Sequence, residues 1–116
     1  MNNCKFINNT AKLHGGAIWW NGANGSITSS TFTNNTSGGN GGAIVWGSSG
    51  LNGALSNSIF NGNTAKGNGN NDGNGGGVDW NGAKGIITGC TFINNVANTY
   101  GGGICWSIAN GFITNS

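Results

Sequence analysis

The sequence contains no proline and very few charged side chains. Charged residues make up 5 % of its 116 residues, and the four cationic ones are all lysine. A net charge of +2 is too small and too scattered for a phosphate-binding surface, which argues against nucleic acid as a partner. No apolar run approaches the roughly 20 residues that span a bilayer. We therefore expect no direct membrane span, with the export signal and anchor lying outside this chain.

Candidate metal ligands are also scarce. The three cysteines form no C-x-x-C pair, and one histidine, His14, with two aspartates does not complete a zinc shell. His14 precedes a glycine pair and is interpreted as a turn residue rather than a ligand. The sequence thus predicts no metal site and no cofactor.

What the chain does contain is an internal repeat in four copies. Each copy begins with an F-x-x-N motif, continues through a glycine pair and an aliphatic residue, and has tryptophan two positions later. The phenylalanines are Phe6, Phe32, Phe60 and Phe92, and the asparagines are Asn9, Asn35, Asn63 and Asn95. The aliphatic residues are Ile18, Ile44, Val78 and Ile104, and the tryptophans are Trp20, Trp46, Trp80 and Trp106.

The spacing of these motifs separates regular segments from loops. Phenylalanine and tryptophan are 14 positions apart in three copies and 20 apart in the third. The extra residues fall near 66–74, and a smaller insertion falls near 48–52, both in tracts of Gly, Asn and Ser. Constant segments with insertions confined to such tracts are typical of strands joined by surface turns.

A unit of 26 to 32 residues with three short apolar segments predicts an all-β fold. We expect a right-handed, single-stranded parallel β-helix, or solenoid, of about four rungs that occupies residues 1–116 as one domain. Because both ends stop inside a strand, we expect this domain to be a fragment of a longer array. Rung stacking would place like residues on like, giving Phe, Trp and aliphatic ladders in the core. The column between aliphatic and Trp is chemically mixed and should point outward: Trp19, Val45, Asp79 and Cys105.

The Asn column lies where a strand meets a turn. Its amides are expected to hydrogen-bond from rung to rung as an asparagine ladder and to tolerate left-handed backbone conformations. A ligand-binding role for this column is the less favoured interpretation. Cys4 and Cys90 share one inward column three rungs apart, about 14 Å, which exceeds the limit for a disulfide. With Cys105 in another column, three free thiols are predicted.

Together, the GGA(I/L/V) and F-x-x-N motifs resemble the repeats of the chlamydial polymorphic membrane proteins. They are equally similar to Asn- and Gly-rich adhesin-like repeat proteins of methanogenic archaea and gut bacteria. The resemblance covers all four copies, although Gly77 and Gly103 stand where the first two copies have Ala17 and Ala43. It implies a secreted, surface-anchored β-helix that contacts host cells, other microbes or glycans.

Two other functions are weighed against such an adhesive module. Carbohydrate-active β-helices, such as polysaccharide lyases and glycosidases, need clustered carboxylates or a cationic base. This chain has no glutamate or arginine, and its carboxylates are Asp72 and Asp79 alone. We therefore predict no catalytic residues and no enzyme activity. The other alternative is a self-assembling fibre subunit, because strands without polar caps at both ends promote head-to-tail self-association.

The expected contact surface consists of exposed aromatic and loop residues: Trp19, Tyr100, Asp72 and Asp79. Aromatic rings pack on sugars or partner chains, and loops on a rigid scaffold commonly carry function. The predicted partners are glycans or cell-surface proteins, and the predicted location is extracellular, at the cell surface.

Overall fold

The computed structural model describes residues 1–49, 51–69, 72–108 and 110–116. Within these ranges the chain forms 16 short strands and no helix, so no segment there qualifies as a membrane-spanning helix. Each rung contains four strands. The first two rungs contain β1 (Lys5–Ile7), β2 (Thr10–Ala11), β3 (Ile18–Trp20), β4 (Ser26–Thr28), β5 (Thr31–Thr33), β6 (Thr36–Ser37), β7 (Ile44–Trp46) and β8 (Ala54–Ser56). The last two contain β9 (Ile59–Asn61), β10 (Thr64–Ala65), β11 (Val78–Trp80), β12 (Ile86–Thr88), β13 (Thr91–Ile93), β14 (Val96–Ala97), β15 (Ile104–Trp106) and β16 (Phe112–Thr114).

Corresponding strands of successive rungs pair in parallel and form four sheets. The sheet orders are β1-β5-β9-β13, β2-β6-β10-β14, β3-β7-β11-β15 and β4-β8-β12-β16. The predicted all-β parallel β-helix of four rungs is therefore confirmed. The expectation of three segments per rung was wrong, because a fourth sheet is built from two-residue strands. Those strands are too short to show an alternating apolar pattern.

The interior columns stack like on like, as predicted. The four Phe rings are nearly parallel, with neighbouring centroids 4.7–4.8 Å apart. The inward Trp rings stack in the same way, with centroids 4.4–5.1 Å apart. The middle rungs are the most completely buried: Phe32, Phe60, Trp46 and Trp80 are all inaccessible to solvent. Aromatic stacking thus adds to the burial of apolar area in holding the rungs together.

The predicted asparagine ladder forms beside the Phe column. The Nδ2 group of each Asn donates to Oδ1 of the Asn in the next rung, at 2.9 Å. The backbone N–H donates to the same oxygen at 3.0 Å. From the second rung on, Nδ2 also donates to a Phe carbonyl oxygen of the preceding rung. The buried amides therefore have partners on both sides.

At the turn beside this ladder, the residue with a left-handed backbone is the one before each ladder asparagine. The expectation that the ladder asparagines themselves adopt this conformation was wrong. The residues that precede the ladder asparagines have φ between 52° and 68°: Asn8, Asn34, Gly62 and Asn94. The ladder asparagines do not have positive φ. In each Asn-Asn pair the two residues therefore have different roles. The first turns the chain, and the second points its amide inward.

The column that contains Cys4 and Cys90 is a second polar ladder. Ser30 and Ser58 occupy it in the middle rungs, and each side-chain oxygen accepts a backbone N–H from the rung before it. All three cysteines are free thiols, as predicted. Burial raises the pKa of the Cys90 thiol, so this group is held in its neutral form.

The two predicted insertions lie only partly within the described residues, because Gly50, Asn70 and Asn71 fall outside them. The far end of the longer insertion is joined to its neighbouring rungs. The Gly73 N–H donates to Oδ1 of Asn40 at 2.9 Å, and the Thr99 hydroxyl donates to the Asp72 carbonyl oxygen at 2.6 Å.

Candidate contact groove

The outer face of sheet β3-β7-β11-β15 forms a groove. Its floor is part of the outward column that pairs in register between rungs, namely Trp19, Val45 and Asp79. Cys105 continues the column in the last rung. The turns before and after these strands flank the column and enclose about 560 Å³. The residues that line the groove besides Trp19, Val45 and Asp79 are His14, Asn21, Asn40, Gly47, Ser48, Asn81, Ser107 and Ile108. We refer to this surface as the contact groove.

Trp19 is an exposed aromatic platform at one end of the contact groove. Its side chain is 58 % exposed, whereas the other four tryptophans lie in the core stack. The His14 ring meets it edge to face, with centroids 5.6 Å apart. Nδ1 of His14 accepts the Asn40 backbone N–H at 3.0 Å, so Nε2 carries the proton in the neutral ring. His14 thus lies in a turn, as predicted, with its ring perpendicular to that of Trp19.

Asp79 lies on the floor of the groove, and the expectation that it is exposed requires correction. Its side chain is only 2 % exposed, because it lies between Val45 and Cys105 of the adjacent strands and against Asn81 of the following turn. Oδ2 accepts a hydrogen bond from the Asn81 amide at 2.7 Å, but Oδ1 is buried without a partner of normal geometry. Burial raises the pKa of this carboxyl group above its ordinary value of 3.8, and the nearby Asn81 and Cys105 side chains offset part of the rise.

Cys105 pairs with Asp79 on the adjacent strand, at the last rung of the same column. Burial and the neighbouring carboxylate both raise the pKa of its thiol. The thiol therefore stays protonated near neutral pH and is a weak nucleophile. Among the described residues, no group of three His, Cys, Asp or Glu side chains is placed to hold a metal ion.

The other two predicted contact residues lie outside this surface. Tyr100 is 64 % exposed at the edge of the last rung, and Asp72 is half-buried in the longer insertion. The structure therefore joins Trp19 and Asp79 in one groove and leaves Tyr100 and Asp72 apart from it. Sequence reasoning missed Asn21, Asn40 and Asn81. A Trp-Asn dipeptide at 20–21 and 80–81 was the available signal, since the residue after an inward Trp borders the outward column.

The buried carboxylate gives a first prediction, which concerns stability. We expect Asp79→Asn to increase the free energy of unfolding at pH 7, because an amide keeps an oxygen for Asn81 and removes a desolvated charge. The pKa of Asp79 is higher in the folded than in the unfolded chain, so its ionisation destabilises the fold above the folded pKa. The penalty disappears as the pH falls towards 3.8. Urea unfolding at pH 7 and at pH 4 should therefore give a smaller difference between wild type and variant at pH 4.

Asp72→Asn is the matched control, because it removes the same charge outside the groove. The groups that act on the Asp79 carboxyl group are Asn81, Cys105, His14 and the more distant Asp72. Wild type, Asp79→Asn and Asp72→Asn share all of these groups except Asp72, which is replaced in the control. A stability difference between wild type and Asp79→Asn that is the same at both pH values would contradict the assignment of a raised pKa.

Comparison with known proteins gives one family. Residues 3–19, 29–45 and 89–105 each match the Chlamydia polymorphic membrane protein repeat. These segments belong to the first, second and fourth rungs, and the unmatched third rung is the one with the longer insertion. Neither a curated protein nor a solved structure matches the chain. The chain is thus a parallel β-solenoid that carries repeats of the Chlamydia polymorphic membrane protein type.

Proposed function

We propose that this chain is a non-catalytic adhesive module of a secreted protein at the cell surface. The observation that carries the proposal is the match of three rungs to the Chlamydia polymorphic membrane protein repeat. The name of that family associates the repeat with membrane proteins of Chlamydia. The ladder-built solenoid supports this function, because rungs held by stacked rings and amides make a stiff scaffold for a contact surface.

The charge distribution also supports a binding role over catalysis. Of the described residues that line the contact groove, Asp79 is the one carboxylate, and Asp72 lies elsewhere. A general acid and a general base both need a titratable group beside the substrate. The one other titratable side chain in the described lining is His14, whose Nδ1 already accepts the Asn40 backbone N–H. Amides, hydroxyls, an indole and aliphatic groups make up the rest of the lining, and these groups do not transfer protons.

Adhesion can be tested with beads that carry the purified chain. We expect saturable attachment to cultured epithelial or bacterial cells, and we expect free chain in solution to compete with it. Albumin-coated beads provide the baseline. Attachment at the albumin level on every cell type would overturn the proposal. Release of new reducing ends from polysaccharides, lost in Asp79→Asn, would instead establish the carbohydrate-active alternative.

A further inference from the structure

The contact groove has the chemistry of a saccharide-binding site. We propose that it binds a short neutral glycan, with one sugar ring packed on Trp19 and a hydroxyl group of the next donating to Asp79. This inference rests on the proposed adhesive function and names the class of ligand for it.

Asp79 is the first reason to expect a ligand. A carboxylate buried as deeply as Asp79 normally has strong hydrogen bonds to both oxygens, yet Oδ1 has none of normal geometry. The Cys105 thiol on the adjacent strand is only a weak donor to this carboxyl group. The Asn81 amide holds Oδ2 in place from the next turn. Rotation about the terminal torsion of an Asp side chain is soft, so Oδ1 can turn towards a group in the groove at small cost. A ligand hydroxyl would supply the missing donor and form a charge-assisted hydrogen bond.

The exposed indole is the second reason. Trp19 lines the groove with an exposed indole, and the His14 ring lies perpendicular to it. The face of a pyranose ring carries C–H groups that pack on such a surface, whereas its rim carries hydroxyls. Trp19 and Asp79 are two rungs apart, which is about 10 Å. This distance suits two linked sugar units rather than a single one.

The polar lining favours a neutral polyhydroxyl ligand over a charged one. The asparagines Asn21, Asn40 and Asn81 line the groove with uncharged amide groups, which pair with sugar hydroxyls as donors or as acceptors. Asn40 is oriented by the Gly73 and Asn74 backbone N–H groups, which donate to its Oδ1. An anionic glycan would meet the Asp79 carboxylate, and a cationic peptide would meet one carboxylate on a chain of net charge +2. Both are disfavoured.

The test is a glycan array of neutral, sialylated and sulfated oligosaccharides, followed by calorimetric titration with the neutral oligosaccharide that gives the strongest signal. We expect binding to weaken by at least about tenfold in Trp19→Ala, because the stacking surface is lost. Asp79→Asn should also weaken binding, although that variant is expected to be more stable than wild type. Loss of binding there cannot be attributed to unfolding.

Tyr100→Ala is the matched control, because it removes an exposed aromatic ring that lies outside the groove. We expect this variant to bind the oligosaccharide as the wild type does. Three outcomes would overturn the inference: no neutral glycan bound, binding lost in Tyr100→Ala but kept in Trp19→Ala, or selective binding of a polylysine probe. If beads still adhere to cells in any of these cases, the adhesive function stands and only the ligand class is wrong.

Discussion

Gly42→Ala is expected to unfold the chain or to reduce its free energy of unfolding by about 4 kcal/mol or more. Gly42 is the second glycine of a pair, at the point where successive rungs approach most closely. A Cβ atom there would overlap the Gly76 carbonyl oxygen of the next rung and lie 2.6 Å from the Thr64 backbone nitrogen. Both obstacles are backbone atoms, so the only relief is to separate the rungs and break their pairing.

Gly102→Ala is the matched control for this substitution. Gly102 occupies the same column in the last rung, where the nearest atom to an added Cβ is the Asn95 carbonyl oxygen at 3.2 Å. Neither glycine has positive φ, so backbone conformation does not distinguish them. We expect Gly102→Ala to change stability by about 0.5 kcal/mol or less, as at a typical surface site. Equal urea midpoints for the two variants would contradict this explanation. They would show that the close contact with the next rung is not the reason for glycine at position 42.

Asn63→Ala is expected to cost about 4 kcal/mol. The Asn63 side chain is fully buried and lies in the middle of the asparagine ladder. Its removal leaves the Asn35 backbone N–H without an acceptor and the Phe32 carbonyl oxygen without the Nδ2 donor. It also breaks the amide link from Asn35. Each buried polar group left unsatisfied costs about 1–3 kcal/mol.

Asn9→Ala provides the comparison for the ladder. Asn9 lies in the first rung, is exposed, and uses its amide to donate to Asn35, whose Oδ1 keeps the Asn9 backbone N–H as a partner. We expect a loss of about 1 kcal/mol or less. Chemical denaturation followed by circular dichroism measures both variants. If Asn63→Ala proved as stable as Asn9→Ala, the asparagine ladder would not contribute to stability. Its hydrogen bonds would then only follow from the stacking of the rungs.

The sequence was sufficient to predict the ladders because stacking repeats the same environment in every rung. Phe and Trp recur at fixed intervals, and the only departures from those intervals are the two insertions. The two-residue strands were not predictable, since Thr-Ala and Val-Ala segments carry no alternating pattern. Spacing also does not reveal which residue of an Asn-Asn pair turns the chain and which faces inward, because both positions recur together.

For the contact groove, the sequence predicted which residues face outward but not how deeply they are buried. Alternation along a strand placed Trp19 and Asp79 on the same outer face, as the structure has them. How deeply each is buried depends on the height of the flanking turns, which alternation does not describe. The turns leave Trp19 open at one end and enclose Asp79 in the middle of the sheet. The unpaired Oδ1 atom follows from that enclosure and therefore appears only in three dimensions.

The identical register of every rung interface also bears on how such a chain changes length during evolution. Each rung contacts its neighbours through the same columns, and insertions enter the turns without shifting the register. Duplication of a gene segment that encodes one whole rung would therefore add an interface of the existing kind and leave the others intact. A duplication that ends within a strand and does not span a whole rung would interrupt that strand and shift its inward residues out of their columns. The rung, rather than the residue, is the unit by which this architecture can grow or shrink.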